Sequence, residues 1–351
     1  MLEKPDIADE TIITCLAHAY GLDVAELTFL PLGADVNTAV YRARTRRQTP
    51  YFVKLRRDFA ETAVLIPKFL ADRGLQPIIP PLPTRTGALW TTLPHPKSEI
   101  QNPKSLIPYC LIVYPFVNGR NGFETLLLDR HRVELGAALR QLHTTALPAA
   151  LANGIPRETF APRWRESVSR FLAQIDGQTF AEPVAAELAA FLHARRQETG
   201  DLVARAHRLA RALQARPPAF VLCHGDIHGW NLLIDDDDAL HIVDWDTLIL
   251  APKERDLMFV GCGLGGNGHT LQEEERLFYE GYGPTAVNHT ALAYYRYERI
   301  IEDIAVICAQ LLTTDAGEAD RRAALAMLKS NFGPDGTIDL AIRTDETARE
   351  A

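Results

Sequence analysis

Between Leu222 and Ile234 the sequence LCHGDIHGWNLLI sets His224, Asp226, His228, Trp230 and Asn231 within one short span flanked by apolar residues, and LHIVDWD follows with Asp244 and Asp246. Such groups so close together suit a metal cage, a hydrolase centre or a phosphoryl-transfer loop. If His224 ends a strand, residues 225–230 form a loop, Asn231 opens a second strand and a third delivers Asp244, then three oxygen-bearing side chains sit at strand ends around one hairpin. Hard oxygens without soft ligands suit Mg²⁺, whereas zinc takes more nitrogen or sulfur. A zinc hydrolase would have to use His224 and His228, whose His-x-x-x-His spacing shares a face only on a helix. Gly225 and Gly229 argue against a helix there. The bland alternative is a glycine-rich turn whose Asp and Asn side chains satisfy backbone groups. It suffices for a lone Asp or Asn, and not for the combination with IVDWD.

The surrounding pattern says what positions these groups. A helix at TIITCLAHAYGL precedes β-branched and apolar runs broken by Gly, Asn and Pro, LTFLPLGADVNTAVYRART and PYFVKLRR, which read as a small antiparallel sheet. A helix at ETAVLIPKFLADRGL ends at Gly74, and Pro67 within it implies a late start or a kink. The strand PYCLIVYPFVNGRNG then breaks into Pro, Asn and Gly, which marks a boundary. Beyond residue 123 the period is helical: Leu135, Ala138, Leu139 and Leu142 recur at i, i+3, i+4, i+7, as do Trp164, Val168, Phe171, Leu172 and Ile175. Two Ala-rich helices are expected over 182–216, a strand hairpin turning at the four aspartates of LLIDDDDA, and further helices at EEERLFYEGYG and LAYYRYERIIEDIAVICAQLL. The polar tail past Phe332 is expected to be partly frayed.

Composition sets bounds. With 351 residues, 47% of them hydrophobic, the chain can bury one large core or two moderate ones. A net charge of -8 argues against nucleic acid as partner, which draws on clustered Lys and Arg, and suits a small, cationic ligand. The five cysteines are widely spaced and never Cys-x-x-Cys, so neither a disulfide framework nor a zinc ribbon is indicated. No signal pattern or membrane-length apolar run is present, and a cytoplasmic protein is expected.

HGDIHGWN followed by IVDWD resembles the catalytic and metal-binding segments of the aminoglycoside phosphotransferase and choline-kinase-like superfamily, whose pattern His-Gly-Asp-x-His-x-x-Asn, then apolar-apolar-Asp, is matched at every position. The resemblance implies an α+β, bilobal protein-kinase-like fold: a nucleotide-binding lobe over residues 1–113 with a small antiparallel sheet, a hinge at 114–119, and a mostly helical lobe over 120–351. It implies an ATP- and Mg²⁺-dependent kinase in which Asp226 orients or deprotonates the acceptor hydroxyl and Asn231 and Asp244 hold Mg²⁺ on the phosphates. Lys54 on its strand is similar to the family's phosphate-binding lysine, and Gly33 and Asn37 belong to a loop over the phosphates. At the hinge, Pro115 has no N–H, so the adenine donor is expected from Phe116 or Val117. Asp256 in APKERDL is implied as a brace for the catalytic loop. Many relatives pair the lysine with a helix glutamate, yet LIPKFLADRG offers Pro67 and Lys68, and Glu61 serves only if the helix starts early.

Within the superfamily, HGDIHGWNLL, YPF before NGF, and LGAALRQLH are most similar to the spectinomycin phosphotransferases, which implies an aminocyclitol or aminoglycoside acceptor. Candidate contacts for its ammonium groups are Asp246, in register with Asp244 on an extended strand, and Glu298 with Glu302 at i, i+4, whose bland reading is a solvated helix face near Arg299. Trp230 stacks on an acceptor ring or packs inside the protein. The alternatives are a metabolic kinase of choline, homoserine or a sugar-like metabolite, a nucleotide-binding protein without catalysis, which the presence of Lys54, Asp226, Asn231 and Asp244 disfavours, and a metal hydrolase that would turn over without ATP. Catalytic parts are shared between the two kinase readings, and specificity lies in helices that sequence patterns do not resolve.

Overall fold

The computed structural model describes residues 4–33, 37–93, 108–262, 269–313, 318–333 and 336–350. Helix α1 (Asp9–Cys15) runs into a π-helical turn at Leu16–Tyr20, ended by Gly21. Strands β1 (Val24–Leu30), β2 (Thr38–Thr45) and β3 (Pro50–Arg56) follow, then α2 (Thr62–Asp72), β4 (Thr91–Thr92) and β5 (Cys110–Pro115). They form one antiparallel five-stranded sheet in the order β1-β2-β3-β5-β4. Alternation along β3 decides its two faces. Val53 and Leu55 join Tyr41, Leu111, Val113, Ile12 and Leu16 in a core between sheet and α1, while Lys54, paired in register with Ile112, turns to the other face. Ile112 packs there with Val64 of α2. Helix α2 continues through Pro67, so the late start is not taken; the proline removes one internal hydrogen bond and the buried Ile66 and Leu70 beside it supply the packing.

From Pro115 the chain passes through residues 116–118 to β6 (Gly119–Asn121) and a helical region: α3 (Asp129–Thr144), α4 (Ala149–Ala152), α5 (Arg163–Gly177), α6 (Pro183–Ala194) and α7 (Arg196–Ala215). Four short strands interrupt it, β7 (Val221–Cys223), β8 (Leu232–Asp235), β9 (Leu240–Ile242) and β10 (Ile249–Ala251). β6, β8 and β9 pair in that order, and β7 pairs with β10. Helices α8 (Glu254–Leu257), α9 (Leu271–Tyr282), α10 (His289–Thr313), α11 (Glu318–Asn331) and α12 (Thr337–Glu350) complete the chain. The fold is the expected α+β one, an antiparallel sheet followed by a mostly helical lobe.

The polar tail differs from expectation, because α12 packs on α10. Its Asp345, without exposure, accepts from Arg205 (3.2 Å), Arg208 (2.7 Å) and Arg349 (3.0 Å). A carboxylate gathered by three guanidiniums anchors what hydrophobic patterning leaves unmarked. Among the described residues no helix is long and apolar enough to cross a membrane, and the five cysteines are free thiols.

Helices α3 and α9 cross closely through glycine. A Cβ on Gly281 would lie 1.8 Å from the carbonyl oxygen of Val133, and one on Gly136 would lie 2.1 Å from that of Phe278. No rotamer relieves a clash with backbone, so the overpacking cost exceeds the roughly 1 kcal/mol that alanine gains over glycine in a helix. Gly281→Ala is expected to lower stability by about 1–3 kcal/mol in urea titration; an unchanged midpoint would show that the helices can part freely.

Candidate active site

The span between β7 and β8 is a loop, as its glycines require. Gly225 has φ +90, and a Cβ on it would lie 2.3 Å from the carbonyl oxygen of Thr247. Two constraints therefore demand glycine, the left-handed backbone and the close approach. Thr247 in turn donates to the carbonyl of His224 at 2.9 Å, tying this loop to the segment after β9. His224, fully buried, faces the carbonyl of Val243 through Nε2 at 3.0 Å, while the amide of Asp226 approaches its Nδ1 at 3.4 Å. Burial lowers its pKa against the pull of Asp256 and Asp226. With both ring nitrogens occupied and no helix beneath it, His224 is no zinc ligand.

Beneath the loop lies Asp256, fully buried, which accepts from the amides of His224 (2.9 Å) and Gly225 (2.7 Å). His143 on α3 faces it through Nε2 at 3.0 Å and meets the hydroxyl of Tyr282 on α9 through Nδ1 at 2.8 Å. Burial alone would raise the pKa of Asp256, but the His143 hydrogen bond and charge outweigh it and hold the carboxyl low. Cys223 joins this cluster, so by residue type it resembles a metal site. Its His143 and Asp256 are already engaged with each other, with Tyr282 and with the loop, and the Cys223 thiol faces the carbonyls of Ala251 and Pro252, each at 3.6 Å.

Asn231 closes a short 3₁₀ turn at Gly229–Asn231, and its Nδ2 donates to the carbonyl of Asp226 at 2.8 Å. The amide of Val243 donates to the carbonyl of Asn231 at 3.0 Å, which sets Asp244 beside it. Asp244 itself is left-handed, φ 62 and ψ 65, a strained conformation that Asp tolerates better than most residues. Its side chain is half exposed. Thus the loop, Asn231 and Asp244 form one connected set.

Lys54 of β3 reaches this set across the lobes, with Nζ 2.8 Å from Asp244 and 2.5 Å from Asp246. Arg56, two residues on, also binds Asp246. Burial would lower the Lys54 pKa, but the two carboxylates more than reverse it. Asp244 is held below the ordinary carboxylate range: burial opposes this, and Lys54 outweighs it. The lysine's partners are therefore these aspartates, and Glu61 stands at the N-cap position of α2 rather than within the helix.

Asp226 is bracketed by Arg299 and His228. Its Oδ1 accepts from Arg299 Nη1 at 2.5 Å, and Oδ2 lies 3.2 Å from His228 Nε2 and 3.5 Å from Asn231 Nδ2. Burial would raise its pKa; the His228 hydrogen bond and the Arg299 charge win and hold it at about 2.

Other expected residues fall elsewhere. Asp246 is not a free carboxylate on an extended strand: Trp245–Thr247 is a 3₁₀ turn, and Lys54 and Arg56 neutralise it. Glu298 is buried with Arg165 Nε at 3.7 Å, and Glu302 lies 4.0 Å from Arg255, so the pair presents no open acidic site. Trp230 is 60% exposed, tilted against Phe123 with ring centroids 5.5 Å apart, so the packed reading fails. Phe116 lies under the Arg42 guanidinium (4.6 Å) and is half-buried, as is Val117. Gly33 is left-handed at φ +80 and the carbonyl of Asn37 accepts from Arg57 at 2.9 Å; residues 34–36 between them lie outside the described residues. Sequence reasoning missed Arg299, Asp303, Arg56 and His143 as site neighbours. Only the i, i+4 spacing of Arg299 and Asp303 offered a signal.

Burial pushes the Glu298 carboxyl up to about 7 from 4.5, against the opposite effect of Arg165. The folded chain thus keeps a proton that the unfolded chain releases, and this group's contribution to stability falls as pH rises from 4.5 to about 7. Glu298→Gln is expected to gain in melting temperature relative to wild type on going from pH 5 to pH 8. The same difference at both pH values would contradict the shift.

Known proteins resemble the chain in sequence and fold. The model of the phosphotransferase enzyme family matches residues 28–282. The structure of spectinomycin phosphotransferase APH(9)-Ia, in complex with ADP and spectinomycin, superposes with a TM-score of 0.85 at 34% identity, covering 97% of this chain and 99% of that one. Amicoumacin kinase hAmiN, in complex with AMP-PNP, shares the fold at a TM-score of 0.61 and 14% identity over 94% of this chain and 95% of its own. A microcompartment-associated aminopropanol kinase does so at 0.58 and 18%, over 97% and 98%. Comparison with curated protein sequences gives no match. The family match over most of the chain and the near end-to-end likeness to APH(9)-Ia place this chain in the phosphotransferase enzyme family, as a small-molecule kinase with that family's protein-kinase-like fold.

Proposed function

We propose that the enzyme transfers the γ-phosphoryl group of ATP to a hydroxyl of an aminocyclitol such as spectinomycin. The observation that carries the reading is the single hydrogen-bonded set linking Lys54, Asp244, Asn231 and Asp226 across the lobes. Phosphoryl transfer through a loose transition state asks the protein for positioning and charge compensation more than for covalent chemistry. In this reading Lys54, steadied by Asp244 and Asp246, meets the nucleotide phosphates, with Phe116 or Val117 at the adenine edge and Gly33 and Asn37 flanking the phosphates. The amide oxygen of Asn231 and the half-exposed carboxylate of Asp244 are hard donors that fit Mg²⁺. When bound, the ion supplies neutralisation of phosphate charge. Asp226 holds the acceptor hydroxyl by accepting its hydrogen bond.

For the acceptor, support comes from the 34% identity over nearly the whole chain with a protein whose structure contains spectinomycin. The exposed Trp230 and Phe123 beside the catalytic loop offer an aromatic surface for its ring system. The net charge of -8 suits a cationic molecule. Free thiols throughout fit a reducing cytoplasm, where ATP is also available.

The test is ADP release with Mg·ATP across spectinomycin, aminoglycosides, choline, homoserine and simple sugars. Turnover is expected with spectinomycin, abolished by EDTA, and reduced on the order of 10²-fold or more in kcat by Asp226→Asn, which loses the charged acceptor that positions the hydroxyl. Turnover confined to choline, homoserine or a sugar would reject the aminocyclitol and favour a metabolic kinase. ADP release unaffected by Asp226→Asn would reject the assigned role of that residue.

A further inference from the structure

The two oxygens of Asp226 have different partners. Oδ2 faces His228 and Asn231 from its own loop, while Oδ1 accepts from Arg299, which belongs to α10. A carboxylate turns about a broad, roughly two-fold torsion, so contacts to one oxygen leave its plane loosely defined. A donor on the other oxygen, from a separate element, fixes it.

Arg299 is itself held. Its Nε lies 3.1 Å from Asp303 one turn later, and its guanidinium is centred 5.8 Å from the ring of Phe259. That ring also meets the edge of His228, with centroids 5.4 Å apart and planes at 80°. Phe259 is immobilised in turn: Arg296, one turn before Arg299 on α10, donates to the carbonyls of Met258 at 3.0 Å and Val260 at 2.8 Å on either side of it. One aromatic ring thus supports both side chains that bracket Asp226. The fork of Arg serves Asp226 and Asp303 at once, which a point cation on a flexible stem does poorly.

We propose that Arg299 is a positioning residue for phosphoryl transfer: its hydrogen bond to Oδ1 sets the plane of the Asp226 carboxylate in which the acceptor hydroxyl is met. The proposal rests on the reading of Asp226 given above. Misplacement of a reacting group by 1 Å costs on the order of 10²-fold in rate, so loss of Arg299 acts on turnover, while the nucleotide, held by Lys54, Asn231 and Asp244, is little affected.

Arg299→Gln and Arg299→Lys are compared with wild type in the full chain, by initial rates with Mg·ATP and the best acceptor of the panel, and by a crystal structure of Arg299→Gln with Mg·AMP-PNP. Expected are a fall in kcat of about 10- to 100-fold for Gln with the KM for ATP within about twofold, partial recovery for Lys, and a rotated Asp226 carboxylate in the crystal. A kcat for Gln within about twofold of wild type, a parallel change in kcat and the KM for ATP, or Lys no better than Gln would overturn it. If wild type phosphorylates nothing on the panel, the functional reading fails; the orientation of Asp226 in the variant crystal then decides the role of Arg299, and an unchanged carboxylate overturns it.

Discussion

The buried carboxylate of Asp256 is the constraint on which the site depends. Two consecutive backbone amides of the loop, those of His224 and Gly225, converge on it, and a histidine from another helix satisfies it further. A buried charge is tolerable only when its lone pairs are met, and removing one partner of such an arrangement costs about 3–5 kcal/mol. The loop therefore cannot rearrange without exposing that cost, and the direction in which Asp226 leaves the loop is set before any ligand arrives. The glycine-mediated approach of α3 and α9 belongs to the same constraint, since it brings Tyr282 to the far nitrogen of His143.

A second layer of order is electrostatic. Lys54 and Arg56 from the sheet stand against Asp244 and Asp246 from the helical lobe, with Lys54, Arg56 and Asp246 largely shielded from water and Asp244 half exposed. In such surroundings the interactions are stronger than at a surface, and each charge is tolerated because of its neighbours. The sheet and the β8–β9 hairpin thus have a reason to face each other with defined register, beyond the short linker after Pro115 and the bridge of Ile78 to Ile242. In the reaction proposed above, incoming phosphates would meet cations already aligned rather than searching for them.

How much of this was legible follows from the range of each interaction. Asp226, Asn231 and Asp244 lie within a hairpin's length of one another, so a local motif with its glycines specifies them. The contact of Lys54 with Asp246 joins residues 192 apart, and that of Arg299 with Asp226 joins residues 73 apart; no local pattern encodes either. Glu298 and Glu302 misled because i, i+4 spacing shows that two residues share a helix face, not which way that face points. Helix α10 is buried on nearly every side, so its one charged stripe is divided among arginines of other elements. The terminal helix was hidden for a related reason. Its anchor is an aspartate met by three arginines, and polar composition alone reads as frayed.

The environment of Asp226 also narrows what it can do. An effective general base has a pKa near the working pH, because it must be unprotonated yet basic enough to take a proton as the transition state forms. Held at about 2 by His228 and Arg299 against the effect of burial, Asp226 meets the first condition and not the second. In the reaction proposed above it would serve as a fixed acceptor, suited to orienting a hydroxyl by its hydrogen and to receiving the proton only once bonding to phosphorus has made that hydroxyl strongly acidic. A loose transition state, in which the nucleophile bonds little before the leaving group departs, needs no more than this. The partners that look like a handicap for a base, the Arg299 charge and the His228 hydrogen bond, are for an orienting carboxylate what keeps it ionised and in place.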